Sequence, residues 1–199
     1  MPDIPNVGVH LARNTMSWSR RIDAPVERVW EAVTRKEHLD EWYMAAQQTE
    51  LRLGGKHDWF QDGGVVDEYE PLRAIRFYAP KNRSWQRFSV EPDGGSSVFT
   101  LTDRIGDGSY WPDTEWEETE GGWVQLPEER VAVRSPGGRG THWVGIAAGY
   151  HGFVDSLDTY ITGNTDGYAS YERLNELYDA WYTTFWGEGG DGWSLKDAD

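Results

Sequence analysis

The spacing of apolar residues changes several times along the chain. Residues 14–22 (NTMSWSRRI) alternate loosely and predict a strand. Pro25 then suits a first helical position, where a missing N–H costs nothing. Val26, Val29, Trp30 and Val33 follow at helical spacing and predict a short amphipathic helix. A second helical segment, 36–43, presents Leu39, Trp42 and Tyr43. From there the period falls to two. Short runs at 48–53, 56–61, 65–70, 74–79, 84–91 and 97–103 are separated by Gly54-Gly55, Gly63-Gly64, Pro71, Pro80 and Asp93-Gly94-Gly95. Asp-Gly between alternating runs is a hairpin signal, and Phe88 and Val90 are spaced to share a face with Phe99 and Leu101. These runs predict a meander of antiparallel strands.

The rhythm breaks at 104–141. Between Arg104 and Arg130 the chain places eight acids and no base, with Tyr110, Trp111, Trp116 and Trp123 among them. Such a charge run reads as a mobile, solvated insertion dispensable for folding, and a lid or partner-binding flap is the sharper alternative. WVQL (123–126) and RVAV (130–133) are candidates for an extra hairpin, and RSPGGRG (134–140) for a flexible connector. Residues 141–163 predict a long helix. Trp143, Ile146, Tyr150, Phe153, Val154, Leu157, Tyr160 and Ile161 form one wide apolar arc, Gly145, Gly149, Gly152 and Ser156 a small-residue strip, and His151, Asp155, Asp158 and Thr162 a polar side, whose His151–Asp155 pair reads as solvated, with an acid/base role at a cavity mouth as the alternative. An arc this wide implies a helix gripped along much of its girth. A further amphipathic helix is expected within 166–187, and the Gly- and Asp-rich tail beyond it frays.

Composition narrows the function. Nineteen Lys and Arg against 34 Asp and Glu leave a net charge of −15, which argues against nucleic acid and anionic membranes as partners. There is no Cys, so disulfides, thiolate catalysis and thiolate metal sites are excluded. The N-terminus has no basic stretch leading into an apolar core, and no apolar run approaches the ~20 residues that cross a bilayer. A cytoplasmic protein without membrane insertion is expected. Twelve Trp, 10 Tyr and 6 Phe in 199 residues are far more aromatic surface than usual. They serve either as bulky core filling or as the wall of an aromatic-lined cavity.

Five blocks in order, RIDAPVERVWEAVTRKEHLDEWY (21–43), LRLGGKHDWF (51–60), DEYEPLRAIRFYA (67–79), SVEPDGGSSVFTLT (89–102) and AAGYHGFVDSLDTYITG (147–163), together resemble the START-like (SRPBCC) superfamily, in the branch related to the activator of the heat-shock protein 90 ATPase. The resemblance implies an α+β helix-grip fold: a bent antiparallel sheet wrapped around a long C-terminal helix, with a cavity between them. Two short helices near the N-terminus and an extra C-terminal helix complete it. The whole chain then reads as one domain with its core at about 14–163. The acidic insertion departs from the family pattern, as does Tyr150, where Trp is usual.

Chemistry is sparse. The chain has no Gly-x-Ser-x-Gly, and the Gly187-x-Gly189-x-x-Gly192 match sits in the tail with no strand before it. His10, His38, His57, His142 and His151 never fall four apart, so no metal site is expected, and no cofactor is implied. His142, at the margin of the apolar arc, and His57, in phase with Trp59, are the candidate proton-transfer residues. Trp42, Trp59, Tyr69, Phe77, Trp85, Phe88, Trp143 and Tyr150 are the candidate ligand wall. The facing of Asp67, Glu68 and Asp103 is not fixed by the pattern. The first functional reading is binding of a small hydrophobic or aromatic molecule in an internal cavity, by a monomer or homodimer. The second, implied by the resemblance, is a cyclase, dehydratase or hydrolase of a natural-product pathway. The third is a chaperone-associated interaction module, which requires an exposed apolar patch on the outer sheet face. A buried carboxylate partner beside His142 or His57 favours the enzyme, and an isolated histidine in an apolar wall favours binding.

Overall fold

The computed structural model describes residues 8–12, 15–43, 48–58, 63–81, 83–104, 116–119, 122–125, 139–166 and 168–186. Among them lie strands β1 (Val9–Ala12), β2 (Thr15–Ile22), β3 (Lys56–His57), β4 (Gly64–Glu70), β5 (Ala74–Ala79), β6 (Ser84–Asp93) and β7 (Ser96–Arg104). They form one antiparallel sheet in the order β1-β2-β7-β6-β5-β4-β3. The β6–β7 hairpin turns at Gly94-Gly95, with Asp93 opposite Ser96 and Gly94 at φ +66°, a conformation that Gly adopts without strain. The expected strand at 48–53 is absent: Thr49 makes an isolated bridge to His57. β1, which the alternation did not announce, forms one edge of the sheet.

Helices α1 (Val26–Thr34) and α2 (Lys36–Trp42) follow β2. Pro25 stands as the extended cap of α1, one position earlier than expected. The extended Arg35 ends α1 and starts α2. Trp42 locks the two together by donating its Nε1–H to the Ala32 carbonyl at 2.8 Å. Helix α3 (Arg139–Thr162) lies in the bend of the sheet against β2, α1 and α2. It ends at Gly163, whose φ of +75° and N–H to the Thr159 carbonyl form a left-handed cap. Helix α4 (Tyr171–Trp186) packs along α3. This is the helix-grip arrangement. The core is one cluster from the concave face and the helices, including Trp18, Ile22, Val33, Trp42, Phe88, Phe99, Leu101, Val154 and Leu157. No described helix is long and apolar enough to cross a membrane.

Within the insertion, strand β8 (Trp116–Thr119) pairs with β9 (Gly122–Gln125), Trp116 opposite Gln125. The partner of the 122–125 strand is therefore the segment before it. The expected partner, 130–133, lies outside the described residues, as does most of the acidic stretch.

Candidate functional site

Strand register lays the concave face out in rows. One row runs Met16, Asp103, Gln86, Phe77, Val66 across β2, β7, β6, β5 and β4, and the next runs Trp18, Leu101, Phe88, Ile75, Tyr69. Asp103 and Gln86 are therefore polar neighbours set into a wall of large apolar side chains. The Gln86 Nε2–H donates to Asp103 Oδ1 at 3.2 Å, and the Tyr150 hydroxyl, from α3, donates to the same oxygen at 3.1 Å. Tyr43, just after α2, donates to Gln86 Oε1 at 2.6 Å. Burial pushes the Asp103 carboxyl up to about 7, against the pull of its hydrogen bonds from Tyr150 and Gln86.

Rings close over this group. Trp42 touches Tyr43, Phe88 and Phe99, Phe77 meets Phe88 edge-on, and Tyr43 meets Phe153 at 4.7 Å. Tyr150 lies 5.2 Å from the Trp18 ring. On α3, Ile146, Tyr150 and Phe153 remain half-buried, and a Cβ built on Gly149 would meet nothing within 4 Å. Half-buried aromatic surface thus adjoins the buried acid through Tyr150.

The expected wall residues divide. Trp42, Phe77, Phe88 and Tyr150 gather on the concave side near Asp103. Tyr69 is further along, half-buried against Trp30. Trp85 stands apart: out of phase with Gln86 and Phe88, it sits on the outer face under the Arg76 guanidinium. Trp59 and the side chains of His142 and Trp143 lie outside the described residues. His57 is buried, stacked on Phe77 at 4.1 Å and hydrogen-bonded through Nδ1 to Thr49. Desolvation drives its imidazole down to about 3, so it is neutral. No group of metal ligands occurs among the described residues.

Asp67 and Glu68 both face outward, because a bulge between Val66 and Glu68 turns two consecutive residues to one side. Each holds an arginine in a two-pronged ion pair, Arg76 with Asp67 and Arg87 with Glu68, all four bonds at 2.9 Å. This part of the outer face is charged and polar rather than an apolar patch.

On the polar side of α3, His151, Asp155 and Asp158 are buried, not solvated, which corrects the expectation for His151 and Asp155. α4 covers it from one side and β2 from the other. Asp155 forms an ion pair with Arg20 and lies 3.6 Å from His151 Nε2. Tyr178 on α4 sits at the hub, its oxygen accepting the Trp18 Nε1–H and the Gly8 N–H, each at 2.9 Å. Its hydroxyl proton is left for His151 Nδ1, also at 2.9 Å, which fixes the tautomer with the proton on Nε2, facing Asp155. Burial, with Arg20 adding to it, lowers the His151 imidazole to about 4.

Residues 23–133, more than half of the chain, match the family model described as activator of Hsp90 ATPase homolog 1-like protein. Among solved structures the chain is similar to CalU16 from Micromonospora echinospora, with a TM-score of 0.55, 17% identity, and 85% of this chain and 86% of that one covered. It is also similar to EF2215 from Enterococcus faecalis, a conserved protein of unknown function (TM-score 0.59, 12% identity, 90% and 91% covered). A protein from Arthrobacter aurescens gives 0.52, 14% identity, and 83% and 95%. At these identities the likeness establishes the fold alone. No curated protein matches the sequence.

Proposed function

The chain belongs to the activator of Hsp90 ATPase homolog 1-like family, and from that premise we propose that it is a binding protein enclosing one apolar, aromatic-sized molecule between the concave sheet face and α3. The observation that carries this reading is the pairing of an aromatic wall with one small polar cluster, Asp103, Gln86, Tyr43 and Tyr150. Largely apolar walls with a few convergent polar groups are the general design of small-molecule sites. The half-buried rings of Tyr150 and Phe153 and the open space at Gly149 support an approach from the α3 side.

A cyclase-, dehydratase- or hydrolase-type activity is the second reading. Asp103 favours it, since a carboxyl titrating near neutrality can serve as acid or base. His57 does not, being neutral and stacked in an apolar setting. The ion-paired outer face speaks against a docking surface for a chaperone. An apolar fluorescent probe titrated into the protein tests the binding reading. Saturation at about one probe per chain, reversed by aromatic competitors, supports it. Non-saturable uptake overturns it.

A further inference from the structure

The hydrogen bonds around Asp103 all run one way. Tyr43 donates to Gln86, Gln86 donates to Asp103, and Tyr150 donates to Asp103. Both donors to the carboxyl use Oδ1, and no donor among the described residues reaches Oδ2. Nor does a cation among the described residues compensate the carboxyl: the neighbouring strands offer Met16 and Gln86, α3 offers the Tyr150 phenol, and the end of α2 offers the Tyr43 phenol. Arg20, the concave-face cation two rows away, is committed to Asp155. While both donors stay on Oδ1, a proton on this carboxyl resides on Oδ2, where no acceptor stands among the described residues. The site therefore presents a single O–H at the end of an aromatic wall.

We infer that Asp103 is the recognition group for the ligand's polar end, donating a hydrogen bond from Oδ2, so that the ligand is an uncharged aromatic or polycyclic molecule carrying a carbonyl oxygen. This rests on the binding reading above and adds the ligand class to it. A ligand carboxylate finds no cation in this cluster, and an apolar hydrocarbon leaves the acid without a partner.

The test compares two probes of one shape, 9-fluorenone and fluorene, binding to the full chain at pH 6 and pH 8.5. At pH 6 fluorenone binds roughly threefold to tenfold tighter than fluorene, the worth of one net hydrogen bond. At pH 8.5, with Asp103 ionised, that preference disappears, since burial pushes the carboxyl to about 7. In Asp103→Asn the amide nitrogen replaces the donor, so the preference persists at both pH values. Saturable binding of both probes with equal affinity at pH 6, or a wild-type preference that ignores pH, overturns the inference and leaves the binding reading standing. Failure of either probe to bind saturably overturns both.

Discussion

The Tyr150 hydroxyl on α3 reaches Oδ1 of Asp103 on β7 at 3.1 Å, tying the gripped helix to the floor of the sheet. A glycine, Gly149, precedes this tyrosine and an aromatic, Phe153, follows it one turn later. The same helix thus supplies a polar tether, open space and apolar surface on neighbouring positions.

Asp103 governs part of the pH dependence of stability. Its folded carboxyl titrates at about 7 against about 3.9 unfolded. The folded state holds the extra proton in between, so this contribution is complete below pH 4 and is lost as pH rises to 7. Asp103→Asn removes the loss while keeping an acceptor for Gln86 and Tyr150. Urea unfolding is expected to show the variant gaining on wild type from pH 4 to pH 8, by on the order of a few kcal/mol.

His57 acts with the opposite sign. Burial lowers it to about 3, from about 6.5 unfolded, so its contribution is complete above pH 6.5 and declines on acidification. His57→Phe keeps a ring against Phe77 and removes the titration. Between pH 7.5 and pH 4.5 the variant should lose less stability than wild type, by about 2–3 kcal/mol. Equal losses would show that the imidazole is hydrated in the folded protein.

Val154 is buried in the grip, at 2% exposure. Val154→Asp places an unpaired carboxylate there, at a cost of several kcal/mol. Thermal unfolding is expected to fall by about 10 °C or more. An unchanged midpoint would take α3 out of the core.

Tyr178→Phe leaves the Trp18 indole, the Gly8 amide and His151 Nδ1 without the oxygen they share. Each buried group stranded in this way costs about 1–3 kcal/mol. Chemical denaturation should show a loss of at least about 2 kcal/mol. A smaller loss would mean that water replaces the phenol.

Much of the frame was legible in the sequence because it follows from local rules. Asp93-Gly94 marked the β6–β7 hairpin, and α3 was read at 141–163 against an observed Arg139–Thr162. The chemistry was less legible, because it depends on facing. Leu101, Thr102 and Asp103 are all buried, so alternation could not say which way Asp103 points. Only pairing with Met16 and Gln86 decides it. The Val66/Glu68 bulge similarly breaks the parity that would have split Asp67 from Glu68. The polar side of α3 looked solvent-facing because helical periodicity cannot announce a later helix packing over it. Trp85 was placed with the wall on residue type, whereas its strand position puts it outside.

Photolabelling with benzophenone, a diaryl ketone, followed by peptide mapping, tests the central claim most directly. Saturable adducts are expected on Met16, Tyr43, Tyr150 or Phe153, suppressed by excess fluorenone and unchanged in Trp85→Ala. Saturable adducts on the outer face around Trp85 and Tyr78, with the concave side unlabelled, would contradict it.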